Sequence, residues 1–138
     1  MERYFILTMG VIGSIVSFLV DGLGMAVTIL LGMMALDYIS GLMAAAYQRK
    51  LNSRIGFNGL IRKSYYLLLV GSVYMLSYAV EGIQFAGDGL AIALIAMEFV
   101  SITENGTKMN LPMPDPVRKI LLIVTEKING NEEKKGMK

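Results

Sequence analysis

Long uncharged apolar runs alternate with short polar breaks along this chain, and that blocky pattern limits its possible folds more than any other feature. A helix needs roughly 17–25 apolar residues to cross about 30 Å of hydrocarbon. Residues 4–20 carry no charge, 25–47 carry only Asp37, 64–80 carry none, and 90–103 carry only Glu98. The breaks between them fall at 21–24, 48–63 and 81–89. The fourth run is short for a span and is expected to borrow neighbours, covering about 88–105; a re-entrant helix is the alternative. The first run resembles a signal peptide in its charged start, but no small-residue cleavage site follows it, so a retained helix is expected. Charged residues make up 17% of the chain, against about 25% in ordinary soluble domains.

Charge placement turns these runs into a topology. With four spans, all 13 Lys and Arg residues fall on one side: Arg3 before the first span, five in residues 48–63, and the rest after residue 107. The opposite side carries only Asp21, Glu81 and Asp88. Basic residues concentrate on the cytoplasmic side of membrane proteins, and three spans would split them. The expected fold is an all-α membrane protein of four transmembrane helices in two hairpins, at about 4–20, 25–47, 64–80 and 88–105. Both termini are then cytoplasmic. Residues 1–110 form the membrane domain, and 111–138 form a cytoplasmic amphipathic helix with a polar tail.

Charges inside such spans are costly and face protein or water. Asp37 shares a stripe with Gly41, Ala44 and Ala45, with Ser40 beside it, so a polar group lies along a small-residue groove that lets another backbone approach. Glu98, Ser101, Glu104 and Asn105 recur at three- and four-residue steps and read as a second polar face. Gly71 sits on a third face with Tyr74, Tyr78 and Glu81. These residues are expected either at an interface between copies or along a water-lined path; a carboxyl hydrogen-bonded within one chain is the structural alternative.

Residues 48–63 carry Arg49, Lys50, Arg54, Arg62 and Lys63 among Leu51, Ile55, Phe57, Leu60 and Ile61. They are expected to rest on the inner leaflet. Tethering to the membrane at both ends argues against nucleic-acid binding. Leu111-Pro112-Met113-Pro114 breaks the preceding helix. Asp115 and Pro116 then start a helix whose apolar face is Val117, Ile120, Leu121, Val124 and Ile128, expected to end at Gly130 before a polar tail. The sequence contains neither cysteine nor histidine, which removes thiolate chemistry and the commonest general base and metal ligand. No catalytic constellation, cofactor motif or metal set remains, and residues 56–59 lack the spacing of a phosphate loop.

Several motifs in order resemble a known family. They are Asp37-Tyr38-Ile39-Ser40-Gly41, Lys50-Leu51-Asn52-Ser53 with Ile55-Gly56-Phe57 and Gly59-Leu60, Glu98 with residues 101–106, and Leu111-Pro112-Met113-Pro114. Over about residues 36–128 the chain is similar to the toxin-secretion/phage-lysis holins, which include clostridial toxin-release holins. That resemblance implies a homo-oligomer in the bacterial cytoplasmic membrane that opens lesions to release an endolysin or toxin, with lipid as its surroundings and no small-molecule substrate. A small proton- or ion-coupled transporter subunit relaying through Asp37 or Glu98 is the second reading. A membrane scaffold or a holin antagonist is the third.

Overall fold

The computed structural model describes residues 1–136 and has five helices: α1 (Glu2–Leu23), α2 (Met25–Tyr47), α3 (Ser53–Ala79), α4 (Ala86–Lys108) and α5 (Asp115–Gly136). No strand occurs among the described residues. Glycine punctuates the turns from α1 to α2 and from α3 to α4, where Gly24 and Gly82 take positive φ values of 82° and 90°, a region open to residues without a Cβ. At the other end, α2 closes through Arg49 at φ 55°, and α4 through Asn110 at φ 56°. Lys50 N–H returns to Ala45 O at 2.9 Å and Leu111 N–H to Gly106 O at 3.2 Å, which satisfies carbonyls the helix ends leave open.

Three helices form the packed unit. On α2 the stripe is Leu30, Met34, Asp37, Gly41 and Ala44; on α4 it is Gly87, Ala91, Leu94, Glu98, Ser101 and Asn105; on α3 it is Lys63, Leu67, Val70, Tyr74 and Ser77. All of these positions are buried or half-buried. The steps alternate between three and four residues, the spacing that holds a seam in left-handed helix packing. Leu30, Met34, Val70, Ala91 and Leu94 make up the apolar core. The chain returns through α3, so α2 and α4 run parallel and in register. Leu30 clusters with Ala91 near one end, and Gln48 Nε2 reaches Lys108 O at 3.4 Å near the other.

Outside the seam the surface is apolar. Ile29 and Ile39 on α2, Leu68 and Met75 on α3, and Ile92 on α4 are all exposed. α2 and α4 are each long and apolar enough to cross a membrane, yet only 22% of their most apolar stretch is buried. A helix in the core of a soluble domain would hide most of that surface. Exposed hydroxyls close on their own helices: Thr8 donates to Tyr4 O at 2.7 Å, Ser14 to Gly10 O at 2.9 Å and Ser72 to Leu68 O at 2.7 Å. Such self-satisfaction is what hydrocarbon, which offers no partner, requires.

Several expectations change. Residues 48–63 are not an extended surface loop, because α3 begins at Ser53. The Asn52 side chain caps it, accepting from Arg54 N–H at 3.0 Å, a device that stabilises a helix start by about 1 kcal/mol. The fourth run becomes a 23-residue helix, about 34 Å long, by borrowing at both ends. α5 continues past Gly130 to Gly136; residues 137–138 of the expected polar tail lie outside the described residues. On α5, Val117, Leu121, Val124 and Ile128 are half-buried, but Ile120 is 50% exposed. α1 touches α2 and no other helix, and none of its described side chains is buried.

Candidate functional site

A charged layer interrupts the apolar seam. Lys63 on α3 reaches between α2 and α4, pairing with Asp37 Oδ2 at 2.9 Å and donating a short hydrogen bond to Glu98 Oε2. The three side chains are only 7–9% exposed. Asn105, two turns beyond Glu98, donates to Asp37 Oδ1 at 3.0 Å and to Ser40 Oγ at 3.0 Å. Its own carbonyl accepts from Lys108 Nζ at 3.2 Å. Among the described residues no buried side-chain nitrogen or oxygen lacks a partner. Two carboxylates thus share one ammonium, and one helix contributes each member.

Steric spacing explains why these residues meet. Asp37, Lys63 and Glu98 each occupy a seam position of their own helix, level with one another because α2 and α4 are in register. An isolated charge at this depth would be strongly unfavourable, and only close pairing with hydrogen bonds offsets it. The layer also fixes register, since sliding any helix by one turn would leave a charge against Met34, Leu67 or Leu94. Removing Asn105 tests the polar layer at its edge. Asn105→Ala should cost about 1–2 kcal/mol, read as a lower midpoint of thermal unfolding in detergent, because Asp37 loses a neutral donor but keeps Lys63.

The other expected positions divide. Ser40, Gly41 and Ala45 are half-buried beside the layer, and Gly41 and Ala45 share with Asp37, Ser101 and Asn105 the lining of a cavity. Glu104 is exposed; six residues past Glu98 is about 120° around the helix, so it leaves the face that Glu98, Ser101 and Asn105 share. Gly71 is exposed, and a Cβ added there would meet nothing within 4 Å. It lies one position off the α3 seam, whose members are Val70 and Tyr74. Asp37, Glu98 and Asn105 make these polar contacts within one chain.

Lys63 needs the largest correction. It was expected at the inner leaflet but is buried between two acids. Arg49, Lys50, Arg54 and Arg62 are exposed. The signal for Lys63 is electrostatic: two acids inside apolar runs require a cation, and Lys63 is the basic residue flanking the third run. A second polar contact, also missed, lies at the opposite end. Tyr74 donates a short hydrogen bond to Asp88, and its ring packs over Gly87, where an added Cβ would come within 2.7 Å. Among the described residues no cluster of His, Cys, Asp and Glu could hold a metal ion.

The chain matches the bacteriophage holin family over residues 14–126. It is 30% identical over 131 residues to an uncharacterized protein of Listeria monocytogenes, with 94% of each chain covered. An uncharacterized protein of Halalkalibacterium halodurans is 30% identical over 129 residues, 90% of this chain and 93% of the relative. One of Clostridium perfringens is 26% identical over 119 residues, 86% and 88% of the two chains. No solved structure shows significant similarity to the chain. A family match across most of the length, on an all-helical fold with an apolar exterior, places this chain in the bacteriophage holin family.

Proposed function

We propose that the chain is a holin that crosses the bacterial cytoplasmic membrane four times, assembles with copies of itself and opens lesions that release an endolysin or a toxin. The family match over residues 14–126 carries this reading, and the exposed apolar faces of α1 to α4 support it. α2, α3 and α4 act as one rigid unit because the Asp37–Lys63–Glu98 layer ties them. Contacts between copies then use outer surfaces, of which α1 is the most available. Opening requires water to reach surfaces that now face lipid or the seam. Moving one charge through the membrane field is worth about 2.3 kcal/mol per 100 mV, so loss of the potential is a physically sufficient trigger if the charged layer shifts on opening.

Topology is testable directly because the chain has no cysteine. A membrane-impermeant maleimide added to intact spheroplasts should label Glu81→Cys. It should label Ser53→Cys and Lys119→Cys only after permeabilisation. Labelling of Ser53→Cys in intact spheroplasts would refute the four-span arrangement.

Purified protein in vesicles tests the lesion itself. Trapped dye and a trapped folded protein should escape together, steeply with protein density and without an imposed gradient. The rival transporter reading draws on Asp37, which lines a cavity, and it predicts saturable, gradient-driven ion flux with the trapped protein retained.

A further inference from the structure

At the end of the bundle beyond the charged layer, residues of α2, α3 and α4 line a cavity of about 320 Å³. Asp37, Lys63, Ser101 and Asn105 lie along its inner part, and Lys50, Arg62 and Lys108 also line it. The last three have no salt-bridge partner among the described residues. Asp37, the one acid in the lining, is already taken by Lys63 and Asn105. Three cations gathered around one opening raise its potential and favour an anion. The walls are of a different character: Tyr38, Leu42 and Leu51 are large, while Gly41, Gly56 and Gly59 contribute no side chain. Gly59 leaves open space, with nothing within 4 Å of an added Cβ, whereas Gly56 lets α3 approach α2, since a Cβ there would lie 3.3 Å from the Tyr38 hydroxyl; the exposed Leu42 and Leu51 continue the cavity toward the lipid-facing surface.

We propose that this cavity binds the phosphate-bearing headgroup of an anionic phospholipid, held by Lys50, Arg62 and Lys108, with its glycerol and first acyl carbons against Leu42 and Leu51. Phosphate is the shared chemistry of a lipid and a free anion, but the apolar walls beside the cations select the lipid. Basic pockets between transmembrane helices are suited to such headgroups. The inference rests on the four-span reading only for the leaflet that supplies the lipid. A wrong orientation would show in the cysteine labelling above and leave lipid retention intact.

The test uses the full chain in detergent, with retention of phosphatidylglycerol and phosphatidylcholine measured side by side. Wild type should prefer phosphatidylglycerol by at least about tenfold. The triple substitution Lys50→Gln, Arg62→Gln, Lys108→Gln should abolish that preference. Arg54→Gln, Lys119→Gln, Lys127→Gln, which removes the same charge outside the cavity, should preserve it. Gly59→Leu, filling the cavity without altering charge, should weaken retention too; it decides the matter should the triple variant aggregate. Retention unchanged in either cavity variant would overturn the proposal. Equal displacement by glycerol phosphate and by phosphatidylglycerol would overturn the lipid as the occupant.

Discussion

Lys63→Met should destabilise the folded bundle by about 3–5 kcal/mol, the cost of breaking a buried ion pair by removing one partner. The variant leaves Asp37 and Glu98 facing each other at a depth where both are nearly inaccessible to water. Its size distinguishes the layer from a surface pair such as Arg118–Asp115, whose atoms are 4.0 Å apart and well exposed and whose loss should be close to silent. Accumulation in membranes and the unfolding midpoint in detergent both report the effect. A second arm isolates the cause. Lys63→Met combined with Asp37→Leu and Glu98→Met removes every charge of the layer at similar volume, and it should recover most of the lost stability, because apolar replacement of a whole buried network is often neutral or favourable. If the single variant were as stable as wild type, the layer would not be holding α2, α3 and α4 together.

Adding one methyl group at Gly87 should cost about 1–3 kcal/mol, in the range of overpacked cores. The new Cβ would come within 2.7–2.8 Å of three ring atoms of Tyr74. Tyr74 cannot swing away freely, since its hydroxyl is bonded to Asp88, the residue that follows Gly87. Gly89 supplies the control. It lies two residues along the same helix, and a Cβ there would meet nothing within 4 Å. Gly89→Ala should therefore stabilise by up to about 1 kcal/mol through helix propensity alone. Opposite shifts in melting midpoint for the two alanine variants are the expected outcome; parallel shifts would show that the approach of α3 to α4 at Gly87 is not tight.

Much of this architecture is legible without coordinates, and the gaps have physical causes. The helices α2 and α4 are visible because their apolar runs are long and their charges few. Asp37, Glu98 and Asn105 stand out because polarity inside such runs is costly, and their spacing places the last two on one face. Lys63 escapes because a span counted as an uncharged run stops at its first charge, although two buried acids require a cation nearby. The true start of α3 is encoded in Asn52, whose side chain caps the helix, but the basic residues that follow make the segment look like a surface loop. Glu104 shows the limit of grouping by short steps: it is three residues from Ser101, yet six from Glu98, and so turns away from the seam. Tyr74 over Gly87 requires knowing how α3 and α4 meet, which neither helix's own pattern states. The isolation of α1 is likewise absent from its composition, because a lipid-facing and a packed apolar helix can be written with the same residues.

On the proposed reading, function depends on what many copies do in one bilayer. The decisive measurement is expression of the full chain in a bacterial host together with an endolysin that has no export route of its own, with optical density and entry of an impermeant dye followed continuously. A holin should give a period of normal growth while the protein accumulates in the membrane, then abrupt dye entry and lysis within the same short interval. Steady growth and an intact dye barrier, with the chain shown to be abundant in the membrane, would contradict it.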